Sequence, residues 1–493
     1  MNFSEYLSNY IKIHDISVSE LAEKTEIDRT VLYRYIKGER KPSKKETVIS
    51  IIRELQMSVD EEKELLEEYE KLIYGETAVC SYRYVRELLR ELRHTDNSLT
   101  PSTLVKTHWK QEGYAEIEES IVILQSKQEI ISNILNLIEH TIKINEEKEY
   151  SKPQICLRMQ PDYMEIQNLL LPIFQQKDIS IEQLICLEQN SNECYQNLHI
   201  LQSVLPLCFG LKGYKVFYYY ASLSSQYNSM VLMPNLLLWQ DCAIVFDYDM
   251  QQGICIRHND YVKMLQEQYN KMRDGCRPLL LNGEGIENVY GFHQNILDLS
   301  GRVLFGQPCV GLCLSRDLLE KHIYPMPGKE EFINGLIETH GDWQNETYIK
   351  PEGVEYHTIA YSTKEGLETF LESGWVAEFP KGLYKPFDKE EQLCILNRMI
   401  KQMESGNMEY HFLEQGNELP LSIQFYLNED KKELVINYIQ ENNMTQVVIG
   451  EISIYRTFLG YLEYMEKKGM VCGKEESLKY LRERWRRGRR KGK

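Results

Sequence analysis

Carboxylates grouped near a histidine are residue types that can carry metal or acid–base chemistry, and this chain has two such groupings. Asp247-Tyr248-Asp249 lies close in sequence to Asp241, His258 and Asp260. Two acids near a strand end can hold Mg²⁺ through their oxygens. The simpler reading is a polar hairpin turn between two apolar strands. His340-Gly341-Asp342-Trp343 poses the same choice. Catalytic signatures are missing: Pro327-Gly328-Lys329-Glu330 lacks the upstream Gly and the Ser/Thr of a phosphate-binding loop, and GxSxG, HExxH and GxGxxG do not occur. The cysteines, spread from Cys80 to Cys472, show no CxxC spacing. Cys309 and Cys313 fall in an apolar, strand-like run from Gln307 to Leu314, where buried free thiols are expected rather than a zinc site. The sequence predicts no catalytic residue, no metal and no cofactor.

Basic side chains are concentrated in a way the total charge hides. The chain of 493 residues carries a formal net charge of -17, yet residues 29–53 hold eight Lys/Arg against two acids. Residues 54–70 hold one Lys against eight acids, and the last twelve residues hold eight Lys/Arg against one Glu. Attraction to phosphate depends on the field within a Debye length, about 8–10 Å, rather than on the total. An early basic patch in an acidic chain is therefore compatible with DNA binding, and the acidic bulk discourages nonspecific adhesion elsewhere.

The elements that must carry this patch are short helices. Phe3, Tyr6, Leu7, Tyr10 and Ile11 recur at helical spacing, one face of an amphipathic helix. Ser17-Val-Ser-Glu20 is a capping box opening a helix with Leu21 and Ala22 inward. Asp28 caps a third helix from Arg29 to Lys37, which Gly38 ends. Ser43-Lys-Lys-Glu46 and Ser58-Val-Asp-Glu61 read as two further capping boxes, opening a fourth helix with Val48, Ile49, Ile51, Ile52 and Leu55 and an acidic fifth one through Tyr69 and Ile73.

The run from Leu21 to Pro42 resembles the Cro/C1-type (Xre) helix-turn-helix family, through Leu21-Ala22, Ile27, Leu32, Gly38 and Pro42 in register without a gap. Glu26 stands where that family often has Gly, Ile36 where Glu is common, and Tyr35 in place of an aliphatic core residue. The resemblance implies a five-helix DNA-binding domain over residues 1–75 whose third helix enters the major groove. Carried over position by position, it makes Arg29, Thr30, Tyr33 and Arg34 the base contacts. Their chemistry suits base reading, since Arg donates two hydrogen bonds to guanine O6 and N7, and Thr or Tyr touches a thymine methyl. Lys37, Arg40, Lys41, Ser43, Lys44 and Lys45 are expected to contact phosphates, which positions the protein without specifying sequence. The start of the fourth helix offers backbone amides to one of them.

The remaining chain is expected to be a helical linker over 76–150, an α/β domain over 151–283, a second α/β or α+β domain over 286–475, and a basic tail over 476–493. Asp96 to Ser102 reads as a loop and Asn145 to Pro153, charged, as a domain boundary. Strand-like and helix-like runs alternate from Gln154 onward, among them a helix over Asp162–Gln175, a hairpin from Cys242–Asp247 and Gly253–Arg257, and strands over Val303–Leu314 and Val447–Ile454, the pattern of an α/β domain. Arg83, Arg86, Arg90 and Arg93 line one side of a helix over residues 76–95 and read as a solvated face. A repeat of 30–45 residues is absent, which weighs against a helical-repeat sensor. The chain holds 33 Tyr against 14 Phe, and Tyr218-Tyr219-Tyr220 on one strand must project to both sheet faces. Core packing with wet hydroxyls explains this; a pocket on one face is the other reading, and would take an unidentified small-molecule or peptide effector.

The fold class expected is thus multi-domain, a small all-α Cro/C1-like head followed by an α/β region. The function expected is a sequence-specific transcriptional regulator of double-stranded DNA, with a sensor or oligomerisation body. The competing reading is an enzyme or a defence or toxin–antitoxin component that uses the head for autoregulation. No stretch approaches about 18 consecutive apolar residues, so no membrane span is expected, and the protein is read as cytoplasmic. A single short helix reads too few base pairs for a genome, so a homodimer on two half-sites is expected, joined mainly through residues beyond 75. Light scattering on the full chain at micromolar concentration should return twice the chain mass; a monomer would exclude this arrangement.

Overall fold

The computed structural model describes residues 1–98, 120–148, 154–159, 179–188, 194–211, 213–221, 233–279, 281–284, 301–352, 358–414, 419–441 and 444–491. The protein is multi-domain, with a helical N-terminal region and a C-terminal α/β region of mixed sheets. The chain divides into two compact units, Met1–Val85 with Thr457–Met470, and Arg86–Arg456 with Val471–Lys493.

The first unit opens with α1 (Phe3–Ile13), α2 (Val18–Thr25), α3 (Arg29–Ile36), α4 (Lys45–Leu55), α5 (Val59–Tyr74) and the start of α6 (Glu76–Ser98). Apolar residues at helical spacing bury Phe3, Leu7, Ile11, Leu21, Ala22, Leu32, Tyr35, Val48, Ile51, Ile52, Leu55, Leu65 and Tyr69 in one core. Helices this short hold together only if their ends are satisfied. Ser58 and Glu61 form the reciprocal box expected at α5, whereas at α2 the Ser17 hydroxyl accepts from the Glu20 amide and the return bond is not made. The box expected at α4 does not form: the helix starts at Lys45, Lys44 takes the cap position, and Ser43 falls one residue too early to reach the free amides. Three helices end by the same device. Glu26, Gly38 and Gln56 have φ of +56°, +74° and +50°, and each is followed by an amide that bonds back across the last turn, as Ile27 N does to Ala22 O at 3.1 Å.

The second unit holds two large sheets. The first is built from β1 (Ile121–Leu124), β2 (Gln154–Arg158), β3 (Ser180–Leu187), β4 (Tyr214–Tyr220), β5 (Asn235–Leu238), β6 (Ala243–Phe246), β7 (Gly253–Ile256) and β8 (Arg277–Pro278), in the order β1-β7-β6-β5-β2-β3-β4-β8. Its helices are α7 (Lys127–Lys148), α8 (Cys194–Gly210) and α9 (Asn259–Asp274). The second contains β9 (Leu281–Glu284), β10 (Gly301–Phe305), β13 (Thr358–Thr363), β14 (Glu409–Leu413), β15 (Ile423–Asn428), β16 (Glu433–Ile439) and β17 (Met444–Ile449), in the order β9-β17-β16-β15-β10-β13-β14. A two-stranded ribbon, β11 (Asp342–Gln344) with β12 (Thr347–Ile349), lies between β10 and β13 in the chain. Helices α10 (Arg316–His322), α11 (Lys329–His340), α12 (Lys364–Ser373), α13 (Lys389–Ser405), α14 (Ile452–Lys467) and α15 (Lys474–Lys491) accompany this sheet in the chain, and α14 belongs to the first unit from Thr457 onward.

The two sheets repeat one topology. In each, a central strand (β2 or β10) pairs in parallel with a strand that pairs in parallel with a third. On its other side the central strand pairs antiparallel with the first of three meandering strands. In each, the strand that comes first in the chain closes the far edge, β1 beside β7 and β9 beside β17, and a helix follows the meander. This repeat spans well over a hundred residues, far beyond the periods characteristic of short solenoid units.

Several local expectations change in the structure. The strand expected over Val303–Leu314 ends at Phe305 and gives way to a loop and a 3-10 turn at Gly311–Cys313. Pro308 cannot donate to a ladder, and the buried Glu378 carboxylate takes the amides of Val310 and Gly311, at 2.6 and 3.4 Å. The strand expected to reach Ile454 stops at Ile449, where Glu451 accepts the amides of Ser453 and Ile454 and opens α14. The loop expected from Asp96 is helical through Ser98. The boundary expected over Asn145–Pro153 is helical to Lys148, and its remainder, like the helix expected over Asp162–Gln175, lies outside the described residues. The basic tail is α15, anchored by the buried Leu478 and Leu481. The hairpin expected around residues 242–257 forms as β6 and β7. Among the described residues no helix is long and apolar enough to cross a membrane.

Leu32 is fully buried at the centre of the first unit's core. Leu32→Ala should remove about 2–5 kcal/mol of local stability. Hydrogen exchange should then speed up in α1 to α5 and stay unchanged in the strands of both sheets.

Candidate nucleic-acid interface

The basic patch is built outward from α3. The Asp28 side chain accepts the amides of Thr30 at 2.9 Å and Val31 at 3.1 Å, which fixes the first turn. Leu32 and Tyr35 turn into the core, so Arg29, Thr30, Tyr33 and Arg34 are exposed. Arg29 sets its guanidinium 5.7 Å from the centroid of the Tyr33 ring one turn later, a contact that orients a cation without neutralising it. Arg34 lies 3.9 Å from Glu39, both side chains more than half exposed, a pair too solvated to hold the arginine.

Lys37, Arg40, Lys41, Ser43, Lys44 and Lys45 are all exposed, but the structure sorts them. Lys41 donates to the Leu72 carbonyl at 3.0 Å, and Lys45 lies 3.7 Å from Glu70. Among the described residues Lys37, Arg40 and Lys44 make no ion pair. The first turn of α4 has no side-chain cap, so its amides remain open beside Ser43, Lys44 and Lys45.

Glu70 sits at the centre of a cluster that the sequence does not reveal. It accepts the Tyr464 hydroxyl and the Lys468 ammonium, each at 2.7 Å. Tyr464 packs on Tyr74 and Tyr82 with ring centroids 5.2 and 4.4 Å apart, and Tyr461 stacks on Tyr82 at 5.5 Å. Gly460 lets the helix backbone approach Ser81, whose Oγ would lie 2.9 Å from an added Cβ. Burial alone would raise the Glu70 pKa; the bonds from Lys468 and Tyr464 and the charges of Lys468 and Lys45 outweigh it and hold the carboxyl below its usual range.

The other groupings have structural occupations. Asp247 Oδ1 accepts the amides of Gln251 and Gln252 at 2.8 and 3.1 Å, closing the β6–β7 turn. Asp342 takes the amides of Arg316 and Trp343, and the Trp343 indole donates to the Leu312 carbonyl. Burial lowers the pKa of His340 to about 4, so it stays neutral at physiological pH. Glu414, Cys472 and Glu476 approach one another closely enough to share a cation, and Lys364 already brings its ammonium to 3.4 Å from Glu414. Arg83 and Arg93 on α6 pair with Glu67 at 3.1 Å and Glu365 at 3.4 Å. Along β4 Tyr214, Val216 and Tyr218 are buried while Lys215, Phe217 and Tyr219 between them are more exposed, the alternation expected of the strand; Tyr220 at its end is exposed, and its hydroxyl donates to Glu451 at 2.9 Å.

No family model matches the chain, and no curated protein matches it. Solved structures show faint similarity. Phosphatidylserine synthase from Haemophilus influenzae Rd KW20 is 10% identical with a TM-score of 0.20, over 72% of this chain and 87% of that one. TrmBL2, an archaeal chromatin protein, is 11% identical with a TM-score of 0.20, over 55% and 93%. Polyphosphate kinase from Porphyromonas gingivalis is 12% identical with a TM-score of 0.21, over 73% and 53%.

A carboxyl whose pKa is depressed in the folded state binds fewer protons there than in the unfolded chain. Glu70 therefore contributes stability above the ordinary carboxylate range, and that contribution is lost as pH falls through its folded value. Acidification from about pH 6 to about pH 3 should cost the protein more of its α1–α5 hydrogen-exchange protection than it costs Glu70→Gln. Equal losses would show that the cluster is not coupled to folding.

Proposed function

We propose that this protein is a sequence-specific regulator of transcription that binds double-stranded DNA through a Cro/C1-type helix-turn-helix formed by α2 and α3, with α3 in the major groove. The observation that carries the reading is the division of α3: Leu32 and Tyr35 are committed to the core, while Arg29, Thr30, Tyr33 and Arg34 are exposed, and among the described residues their only ion pair is the solvated one between Arg34 and Glu39. A helix that served only to complete the bundle would not need two arginines, a threonine and a tyrosine on its outer side. Further support comes from the turn between α2 and α3. Glu26 holds the left-handed conformation that a Gly would adopt most easily, so the departure from the family's residue leaves the turn's geometry in place.

The proposal assigns base reading to Arg29, Thr30, Tyr33 and Arg34. It assigns phosphate contact first to Lys37, Arg40 and Lys44, with the open amides at the start of α4, since Lys41 and Lys45 already have internal partners. The functional unit is a homodimer, and the α/β body serves oligomerisation or sensing of a small-molecule or peptide effector. The body is assigned no chemistry, because Asp247 and Asp342 commit their carboxylates to backbone amides.

Selection from random duplexes with the full chain should yield a preferred site. Arg29→Ala and Arg34→Ala should each weaken binding there by roughly 1–3 kcal/mol and relax discrimination against scrambled DNA. Lys44→Ala should weaken all sequences alike. Arginine variants that keep full discrimination would exclude α3 as the reading helix.

A further inference from the structure

The C-terminal helix α15 is divided as sharply as α3, and with a larger charge. Its inner side is anchored at every turn. The Ser477 hydroxyl accepts the Phe412 amide at 3.1 Å, Leu478 and Leu481 are buried, and Tyr480 meets Phe412 with ring centroids 5.1 Å apart. At Gly488 the backbone comes so close to Leu393 of α13 that a Cβ would overlap the leucine side chain. The last turns are therefore docked by their own packing, and the positive charge they carry is held in place.

Arg489 sets its guanidinium 5.0 Å from the centroid of the Trp485 ring, and the other five arginines of the helix fall into two sets. Arg482 pairs with Glu404, and Arg484 lies 2.7 Å from Glu368. These flank the buried side. Arg486, Arg487 and Arg490 lie on the other side, exposed, and among the described residues they have no acidic partner. Arg486 and Arg490 are one turn apart, as are Arg487 and Arg490, and like charges at that spacing repel. The helix dipole rewards cations in the last turn, which accounts for Arg490 and leaves Arg486 and Arg487 without that support. A fixed, self-repelling row of guanidinium groups at the end of a chain of net charge -17 is suited to a polyanion.

We propose that the outer side of α15 is a second DNA-contacting surface, which grips phosphates of the duplex through Arg486, Arg487 and Arg490 independently of base sequence. This rests on the reading of α3 as the base-reading helix. The row extends about 6 Å along the helix axis, enough to meet roughly two consecutive phosphates of one strand. Arginine suits this role because its planar fork gives two parallel hydrogen bonds to a phosphate. The consequence is a division of labour, with α3 supplying discrimination and α15 adding affinity without discrimination.

The test compares the full chain with the triple variant R486Q/R487Q/R490Q, and with R486K/R487K/R490K as a charge-preserving control. Fluorescence anisotropy is followed on the selected duplex and on a scrambled duplex from about 50 to 300 mM salt. Every phosphate that the protein no longer neutralises should reduce the slope of log affinity against log salt by about 0.9. The Gln variant should therefore lose about 2 from the slope and about tenfold or more in affinity at low salt, equally on both duplexes, while the Lys variant keeps most of both. An unchanged slope overturns the proposal and leaves the α3 reading standing. Loss of discrimination in Arg29→Ala with an unchanged ratio of affinities in the Gln variant supports both assignments. Failure of the unmodified chain to bind any duplex overturns both. Anionic vesicles of phosphatidylserine and phosphatidylcholine form the last arm: vesicle binding that the Gln variant loses, with DNA affinity intact, overturns the DNA assignment in favour of a membrane surface.

Discussion

Each half of the α/β body depends on one strand with unlike neighbours. β2 and β10 run parallel to the strand on one side and antiparallel to the strand on the other. A parallel partner cannot be reached by a tight turn, so the chain must leave the sheet and return by a crossover. An antiparallel partner can be reached through a short loop, so the opposite side becomes a meander. The long connections, and the helices α8, α12 and α13 within them, sit between parallel strands for this reason, and the short ones between β5, β6 and β7 and between β15, β16 and β17. Backbone hydrogen bonding at two central strands therefore sets where the chain can be elaborated.

The second half has used that freedom. Between β10 and β13 it carries α10, α11 and the β11–β12 ribbon, and it buries polar groups at the ends of the parallel strands. Glu378 is the clearest of them. Burial pushes its pKa up to about 7, although the amides of Val310 and Gly311 and the Cys309 thiol favour the charged form. A carboxyl there is in effect the end of a strand: it replaces the ladder that Pro308 interrupts and turns the chain into the 3-10 turn that carries Cys313 into the core. Thr363 plays a related part at the end of β13, where its hydroxyl bonds Gly306 O at 2.8 Å and caps α12.

The helical unit follows another logic. Its helices are eight to sixteen residues long from α1 to α5, too short to be stable alone, so caps, αL termini and one shared core must act together. The same constraint shapes its surface. Every side chain committed to the core fixes which neighbours face solvent, and on α3 this leaves the arginines outward. The sequence-distant Tyr461, Tyr464 and Lys468 complete the unit by packing on Tyr74 and Tyr82 and neutralising Glu70. Residues 1–75 therefore do not make up this unit by themselves.

What can be read from the sequence is local. Helices α1, α3 and α5, the Asp28 cap, the αL glycine at position 38 and the outward set on α3 all follow from spacing and from side chains acting within one turn. The β6–β7 hairpin and the alternation of β4 follow in the same way. β16 escapes such a reading although Leu434, Val435 and Ile436 are apolar, because it is buried on both faces and lacks the alternation that marks a half-exposed strand. The strand expected through Leu314 ends early because its fate is decided by Glu378, 68 residues away. The Glu70–Lys468 pair joins residues 398 apart, and no periodicity reports such a pair. The repeated sheet order likewise resides in strand pairing rather than in residue identity. Sequence by itself determined which turns can form and which side of each helix is apolar, since those depend on neighbours a few residues away. Only the tertiary structure decided which charges are neutralised and which remain open, because a side chain's partner is set by what the fold brings beside it.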